Sequence, residues 1–374
     1  MTGSTARALL PPLGAYLLVR VFLLLPGTLS GYDTLRPGTW RRWDSGHYLS
    51  IARNGYELFP CDSPNYPPGS WCGTAAWLPG YPWLVRFGPR LAVPREPFAV
   101  LLSAAFTLAL LVILWNGFLD ATPSRTNTLS LLLAAFFPGS IYFHAIFPVS
   151  MAATFILLSL WLVREEKWVP SGLAASVASF TYPSGLLLSP ICGGWAILRS
   201  RGQSWLTLFR RLSSTAGVAA LGFASVLLLH HETVGAWDAF FKVQAKYGHD
   251  ALHEPAGTFA RAVGPLFENV ADRNVPGFQT LLLGALVGAV ALAMLLRRKE
   301  VPAFDGCVLA TVLLFWAFPF VIGRGESLPR SEALLVPIVI LTRYLPWTVQ
   351  AALVGLAVAL ELHMAVLFFE SALV

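Results

Sequence analysis

The chain has 374 residues, of which 56% are apolar and only 12% charged, and its mean hydropathy of +0.63 lies outside the soluble globular range. These values describe a multi-spanning membrane protein. The net charge of +6 does not argue for a nucleic-acid partner, because most Lys and Arg fall in short connectors between apolar runs and no basic stripe crosses a soluble segment.

In chain order, residues 1–7 precede an apolar run over 8–29. A basic residue before a hydrophobic stretch resembles a secretory signal, but the run has no small-residue cleavage pattern, so it is expected to be a retained first span that also directs insertion. That span runs outward and delivers the long loop 30–96 to the external face. A second span, 97–119, returns to an inner connector carrying Arg125.

The next apolar block, 128–163, is interrupted at Pro138-Gly139 and at Phe147-Pro148 and ends in Arg164-Glu165-Glu166-Lys167. Two shortish helices with a break near the outer face are expected. The block 170–198 is bounded by charged turns on both sides, the second holding Arg199, Arg201, Arg210 and Arg211. If both turns are cytoplasmic, each leg has about 14 residues against the ~20 of a full span. The pattern predicts a short, broken hairpin meeting at Thr181-Tyr182-Pro183-Ser184-Gly185, and with it a cavity near the outer face, where irregular backbone is tolerated. One long kinked span is the alternative. It would put Arg297-Arg298-Lys299 outside, which the positive-inside rule disfavours.

A span at 212–229 leads to a second external loop, 230–275, with amphipathic pieces at 237–247 and 258–270. Helices lying on the membrane surface are expected there, with Phe240, Phe241 and Phe259 facing lipid. Spans follow at 276–296, 302–322, 333–342 and 346–369, with a third external loop at 323–331. The fold class is therefore an all-α polytopic membrane protein of about eleven helices, some short or broken. No internal repeat is visible, so one integral domain with its C-terminus outside is expected.

The sequence has no phosphate-cradling GxxxxGK[ST], no dinucleotide-binding GxGxxG at a strand-to-helix turn, no HExxH and no CxxC, so nucleotide and zinc machinery are unsupported. No cofactor is called for, and a divalent cation is compatible with the sequence without being indicated. His230 and His231 are adjacent and point in different directions on a helix, a poor geometry for joint metal binding. Cys192 and Cys307 lie in apolar runs and read as core. Cys61 and Cys72 share one polar, Pro-rich external loop, where oxidation is permitted and a disulfide is expected.

The polar residues left outside are Asp33, Asp44, His47 and Arg53 in the first loop, Gln244, Tyr247 and His249 in the second, and Arg324, Glu326 and Arg330 in the third. Loop charges are most often merely solvated. Asp44 has a special context: residues 40–56 set it among Trp40, Trp43, Tyr48 and Tyr56, with Arg41, Arg42, His47 and Arg53 close in sequence. The helical pattern Tyr48, Ile51, Ala52, Tyr56 would press it onto the bilayer surface, as suits a general base for a sugar hydroxyl.

WDSGHYLSIARNGYE followed by AAWLPGYP resembles the first external loop of the PIG-V-type mannosyltransferases, whose pattern is WDxxxYxxIAxxGY and then aFxPlyP. The similarity continues in order along the chain. Phe137 to Phe143 resembles that family's FNPaSiff element, Thr181 with Pro183 to Gly185 its TRPtG, Ala239 to Gln244 its aFlxxQ, and Leu328-Pro329-Arg330 with Pro337 its pRyllplfP. The resemblance, to an actinobacterial-like member, implies a GT-C fold and inverting transfer of mannose from a polyprenyl-phosphate donor to a glycolipid, lipoglycan or protein at the external face of a bacterial plasma membrane. It implies Asp44 as the catalytic base and Arg330 as the holder of the leaving phosphate, with Arg41, Arg42 and Arg53 as further candidates. Substrate contacts are expected from Trp43, His47, Tyr48, Gln244, Tyr182 and His144.

Two departures stand out. Where the resembled family has Tyr-x-Glu-Ser this chain has Phe147-Pro148-Val149-Ser150, and where it has Thr-Arg-Pro this chain has Thr181-Tyr182-Pro183. The lost Glu and Arg are either two halves of one ion pair or acceptor contacts that differ here. The rivals are a lipid or solute transporter or flippase, which predicts inverted repeats and mid-membrane charges, and a catalytically inactive relative that acts as a scaffold.

Overall fold

The computed structural model describes residues 3–62, 65–249, 251–268, 271–323 and 327–373. Long apolar runs with no competing polar partner form helices, because a helix satisfies its own backbone groups. Helix α1 (Gly3–Leu29) leads into a loop that holds α2 (Ser45–Asn54), strands β1 (Leu58–Pro60) and β2 (Trp71–Gly73), and α3 (Gly80–Val85). Then come α4 (Arg95–Gly117), α5 (Arg125–Ala135), the short α6 (Ile141–His144), α7 (Val149–Arg164), α8 (Trp168–Thr181), α9 (Leu188–Arg199), α10 (Trp205–Leu212) and α11 (Val218–Val234). The second loop carries α12 (Ala239–Ala245), α13 (Pro255–Val263) and α14 (Pro265–Glu268). It is followed by α15 (Ala271–Leu296), α16 (Ala303–Ile322), α17 (Leu328–Glu332), a 3-10 run Ala333–Tyr344 and α18 (Trp347–Phe369).

Among the described residues, six helices are long and apolar enough to cross a membrane: Ala8–Leu29, Arg95–Gly117, Trp205–Val234, Asn274–Leu296, Ala303–Ile322 and Trp347–Phe369. The other apolar segments fold as shorter pieces, namely α5, α7, α8, α9 and the 3-10 run, so length alone does not reach about eleven crossings.

The broken hairpin is resolved by its charges. Ser159 Oγ donates to the Ser171 carbonyl oxygen at 3.1 Å across the α7–α8 pair, and Glu166 in the turn between them pairs with Arg199 at the end of α9 and with Arg211 in α10, the latter at 3.6 Å. Both charged turns therefore lie on one face, which excludes a single kinked span over 170–198. Arg164 sits over the Phe118 and Phe304 rings at 5.4 and 5.9 Å, Arg343 pairs with Asp305, and Asn116 Nδ2 donates to the Ala8 carbonyl at 3.1 Å. The start of α1 and the ends of α4 and α7 thus meet the start of α16 on that same face. The first two long loops and the start of α17 meet at the opposite face.

At that opposite face the first loop is anchored rather than loose. Trp40 is buried, its Nε1 donating to Thr34 O at 2.8 Å, and Arg42 donates to the last carbonyls of α18, Phe368 O at 3.2 Å and Phe369 O at 2.9 Å. Cys61 and Cys72 are bridged and join β1 to β2. Gly80 at the start of α3 lies against Thr181, where an added Cβ would meet Thr181 Oγ1 at 2.3 Å, so α3 can touch the end of α8 only as glycine.

Two expectations about lipid contact are corrected. The apolar stripe of α2 does not rest on the bilayer surface: Tyr48, Ile51 and Ala52 are buried, with Tyr48 edge-on to Tyr81 and Phe147 at 6.0 Å each. In the second loop, Phe240 is buried and Phe259 packs edge-on to Phe320 at 5.7 Å, leaving Phe241 as the exposed one of the three. Tyr48 and Phe240 line a cavity that sequence alone does not show, and Phe259 packs on the rings of α16. Arg324 and Glu326 lie outside the described residues.

The two-faced arrangement is checked by labelling. With Cys192 and Cys307 replaced, single cysteines at Ala256 and at Gln203 or Lys299 should react with a membrane-impermeant maleimide from opposite sides of the membrane. Labelling of both from one side would contradict the arrangement.

Candidate active site

The site begins with a backbone constraint. Trp43, a non-glycine residue, has φ +41°, a conformation that costs roughly 1–3 kcal/mol unless the surroundings impose it. Its ring is held edge-on by Phe368 at 5.4 Å and near Tyr142 at 6.4 Å, while Arg42 before it is fixed on α18. The twist delivers Asp44 to the N-cap of α2, where its carbonyl accepts from His47 N at 2.9 Å. An Asp in that position ordinarily turns its carboxylate back onto the helix amides. Here the side chain makes no cap hydrogen bond, and Oδ2 instead accepts from Arg330 Nη1.

Arg330 comes from the other end of the sequence. Pro329 and the left-handed Ser327, φ +61°, set the entry into α17, and Arg330 Nη2 donates to Ser327 Oγ. The guanidinium lies over the Phe147 ring at 5.4 Å. Phe147 is delivered by the break between α5 and α7, where Gly139 has φ +86° and sits so close to Pro329 O that an added Cβ would be 2.7 Å away. Only glycine meets both demands.

Asp44 and Arg330 line a cavity of about 400 Å³. Its polar lining adds Tyr48, Tyr182, Gln244, Tyr247, Ser327 and Ser331, and the Tyr182 hydroxyl lies 3.4 Å from Ser331 Oγ. Gln244 Oε1 is 2.6 Å from His249 Nδ1, and Gln244 Nε2 donates to the Ala76 carbonyl at 3.3 Å, tying the second loop to the first. Leu78, Phe223 and Phe240 pack together as an apolar wall, extended by Leu186, Phe318 and Ile322. A charged centre beside so much apolar surface suits an amphiphile with a phosphate or sugar head.

The structure brings together five of the residues expected from sequence: Asp44, Tyr48, Tyr182, Gln244 and Arg330. Others serve elsewhere. Arg41 pairs with Glu96 at 3.1 Å on the surface, Arg42 caps α18, and Arg53 is exposed near the end of α2, so none of the three lines the cavity with Arg330. His144 is buried in the bundle with Nδ1 3.4 Å from Arg20 Nη1, and Trp43 stands behind Asp44 as its support. His47 stacks on Trp77 at 3.6 Å, so that Trp77 and not His47 meets the cavity. Burial holds the His47 imidazole below its usual range, against a smaller upward pull from Asp44. Sequence reasoning missed Trp77, Phe147, Ser327 and Ser331 as lining residues. Trp77 and Phe147 stand within or beside matched motifs, whereas nothing local marks Ser327.

The pairing makes a stability prediction. Side chains 26% and 15% exposed place Asp44 and Arg330 between surface and core. Arg330→Gln should destabilise the detergent-purified protein more than the double variant Asp44→Asn/Arg330→Gln, because the single change strands a carboxylate. The coupling in a double-mutant cycle should be about 1–3 kcal/mol. Additive effects would contradict the pairing.

No protein-family model matches the chain, and no curated protein does. Among solved structures, it is similar to the crystal structure of the Archaeoglobus fulgidus oligosaccharyltransferase tethered with an acceptor peptide containing the NVT sequon via a disulfide bond. The identity is 10% and the TM-score 0.45, over 97% of this chain and 55% of that one. The chain spans about half the length of that enzyme.

Proposed function

We propose that this protein is a GT-C-type membrane glycosyltransferase that moves a sugar, most simply mannose, from a polyprenyl-phosphate donor to a glycolipid, lipoglycan or protein at the external face of a bacterial membrane. The observation that carries the reading is the Asp44 carboxylate held by Arg330 in a cavity that is part polar and part apolar. It is supported by sequence order: the segments that resemble PIG-V-type mannosyltransferases, far apart in the chain, supply Asp44, Trp77, Tyr182, Gln244 and Arg330 to one cavity.

Asp44 takes the proton of the acceptor hydroxyl as its oxygen bonds to the anomeric carbon. The bond from that carbon to the phosphate oxygen breaks, inverting the centre, and its electron pair leaves on the lipid phosphate. Arg330 holds that developing charge. In the resting site Arg330 is engaged by Asp44, so donor phosphate has to compete for the guanidinium. Donor binding thereby frees the Asp44 carboxylate from the guanidinium to meet the acceptor hydroxyl. Tyr182, at the position where the resembled family has arginine, lines the cavity, which favours an acceptor contact that differs in this chain over a lost structural ion pair.

The test is transfer from radiolabelled polyprenyl-phosphate mannose by membranes carrying each variant. Asp44→Asn should lower transfer ~10²- to 10⁴-fold at normal expression. Arg330→Lys keeps the charge but loses the two-pronged geometry and should lower turnover roughly tenfold or more, with a smaller change in donor affinity. Retention of more than half the activity by Asp44→Asn would remove it as the base. Absence of transfer by the wild type, with label appearing on the other side of sealed vesicles, would favour a flippase.

A further inference from the structure

The proposed reaction leaves one charge beside the cavity unused. Lys246 follows Gln244 at the end of α12, and its Nζ lies over the ring of Tyr247, a cavity-lining residue, and over the ring of Tyr66, at 4.8 Å from each. Nζ also donates to Cys72 Sγ at 3.6 Å. Tyr66 and Cys72 belong to the disulfide-closed hairpin of the first loop, so the partly buried ammonium is clasped between that hairpin and the cavity wall. An ammonium has three N–H groups, and a disulfide sulfur and two ring faces are weak partners for them.

Lys242, one turn earlier, shows the ordinary arrangement: its Nζ pairs with Asp238 at 2.9 Å and lies over the Trp71 ring at 5.2 Å. Among the described residues no carboxylate pairs with Lys246 in this way. Asp44 and Arg330 neutralise each other, so Lys246 is left as an uncompensated positive charge next to the cavity. Its field reaches His47, which stacks on Trp77 of the cavity wall. Burial holds the Lys246 ammonium below its usual range, with no push from Arg330, so the two cations stand apart and one phosphate does not bridge them. The level of Lys246 in the membrane follows from α12, which lies outside the membrane-spanning helices. Trp237 before α12 and Phe241 within it are both 52% exposed, and Phe241 also lines the cavity. Exposed aromatics of this kind settle at the headgroup layer, where lipid phosphates lie, and a helical rise of about 7.5 Å separates Phe241 from Lys246.

We propose that Lys246, held between Tyr66 and Tyr247, is an anion subsite beside the cavity that takes the phosphodiester of an acceptor lipid. The subsite stands on its own geometry, and its assignment to the acceptor rests on the sugar-transfer reading of the cavity. It also accounts for the Pro-rich hairpin, since the segment closed by Cys61 and Cys72 supplies one wall of the subsite.

The test uses the full chain in dodecyl maltoside, titrated with dioleoylphosphatidylglycerol, dioleoylphosphatidylcholine or inorganic phosphate, with thermal unfolding followed by tryptophan fluorescence. Wild type should be stabilised saturably by phosphatidylglycerol, as a ligand of the folded state requires, and not by phosphatidylcholine, whose own ammonium cancels its phosphate, or by free phosphate. Lys246→Gln should raise the midpoint concentration roughly fivefold or more, the worth of one cation at a membrane surface, and Lys246→Arg should restore it. Lys242→Gln, whose lost charge was already held by Asp238, should leave the midpoint unchanged. An unchanged midpoint in Lys246→Gln, an equal rise in Lys242→Gln, or equal stabilisation by phosphatidylcholine or free phosphate would overturn the lipid subsite. In sugar transfer, Lys246→Gln should raise the acceptor concentration needed for half-maximal rate and leave that of the donor unchanged; a change in the donor requirement alone would overturn the assignment to the acceptor. Absence of transfer by the wild type counts against the reaction, and the lipid titration still decides the subsite.

Discussion

The ion pair between Asp44 and Arg330 joins side chains 286 residues apart, and the arrangement of the loop face depends on it. A carboxylate and a guanidinium set beside apolar walls are unfavourable singly and tolerable only together, with their remaining groups hydrogen-bonded. That requirement fixes α2 relative to α17, and the ring of Phe147 beneath the guanidinium adds the broken segment to the same assembly. First loop, mid-chain break and last loop become one site because each supplies part of one charge balance.

The break that delivers Phe147 is itself held by a buried carboxyl group. Glu361 of α18 is 1% exposed and accepts from Gly139 N, from Ser140 N at 3.2 Å and Oγ at 3.0 Å, and from Ile141 N at 2.9 Å. Amides at an interrupted helix have no water to turn to inside a bilayer, so a carboxylate from a neighbouring helix takes the place of the missing carbonyls. Tyr142, delivered by the same segment, packs on Phe147 at 5.3 Å and supports the ring on which Arg330 lies.

Much of this architecture was legible in the sequence. Apolar run lengths and charged turns marked the broken hairpin, because a leg of about 14 residues cannot cross alone and two basic turns cannot lie on opposite faces without cost. The residues that line the cavity from matched motifs, Asp44, Tyr182, Gln244 and Arg330, were readable for the same reason that the motifs were. Neighbourhood in sequence misled at Arg41, Arg42 and Arg53: their charges are used by Glu96, by the α18 carbonyls and by solvent, and a linear pattern carries no information about such distant partners. Glu361 was invisible as the holder of the mid-chain break because it stands in the long apolar run of α18, and its meaning lies in the segment packed against it. Phe240 of the second loop was misread as lipid-facing, since amphipathicity does not say whether the apolar face meets lipid or covers a cavity.

On the proposed mechanism, Asp44 and the donor phosphate compete for Arg330, and the binding of a sugar-free polyprenyl phosphate to wild type and to Asp44→Asn in detergent decides whether they do. Competition predicts that Asp44→Asn, with its guanidinium released, binds the lipid phosphate more tightly than wild type although it transfers no sugar. Equal or weaker binding by Asp44→Asn would contradict it.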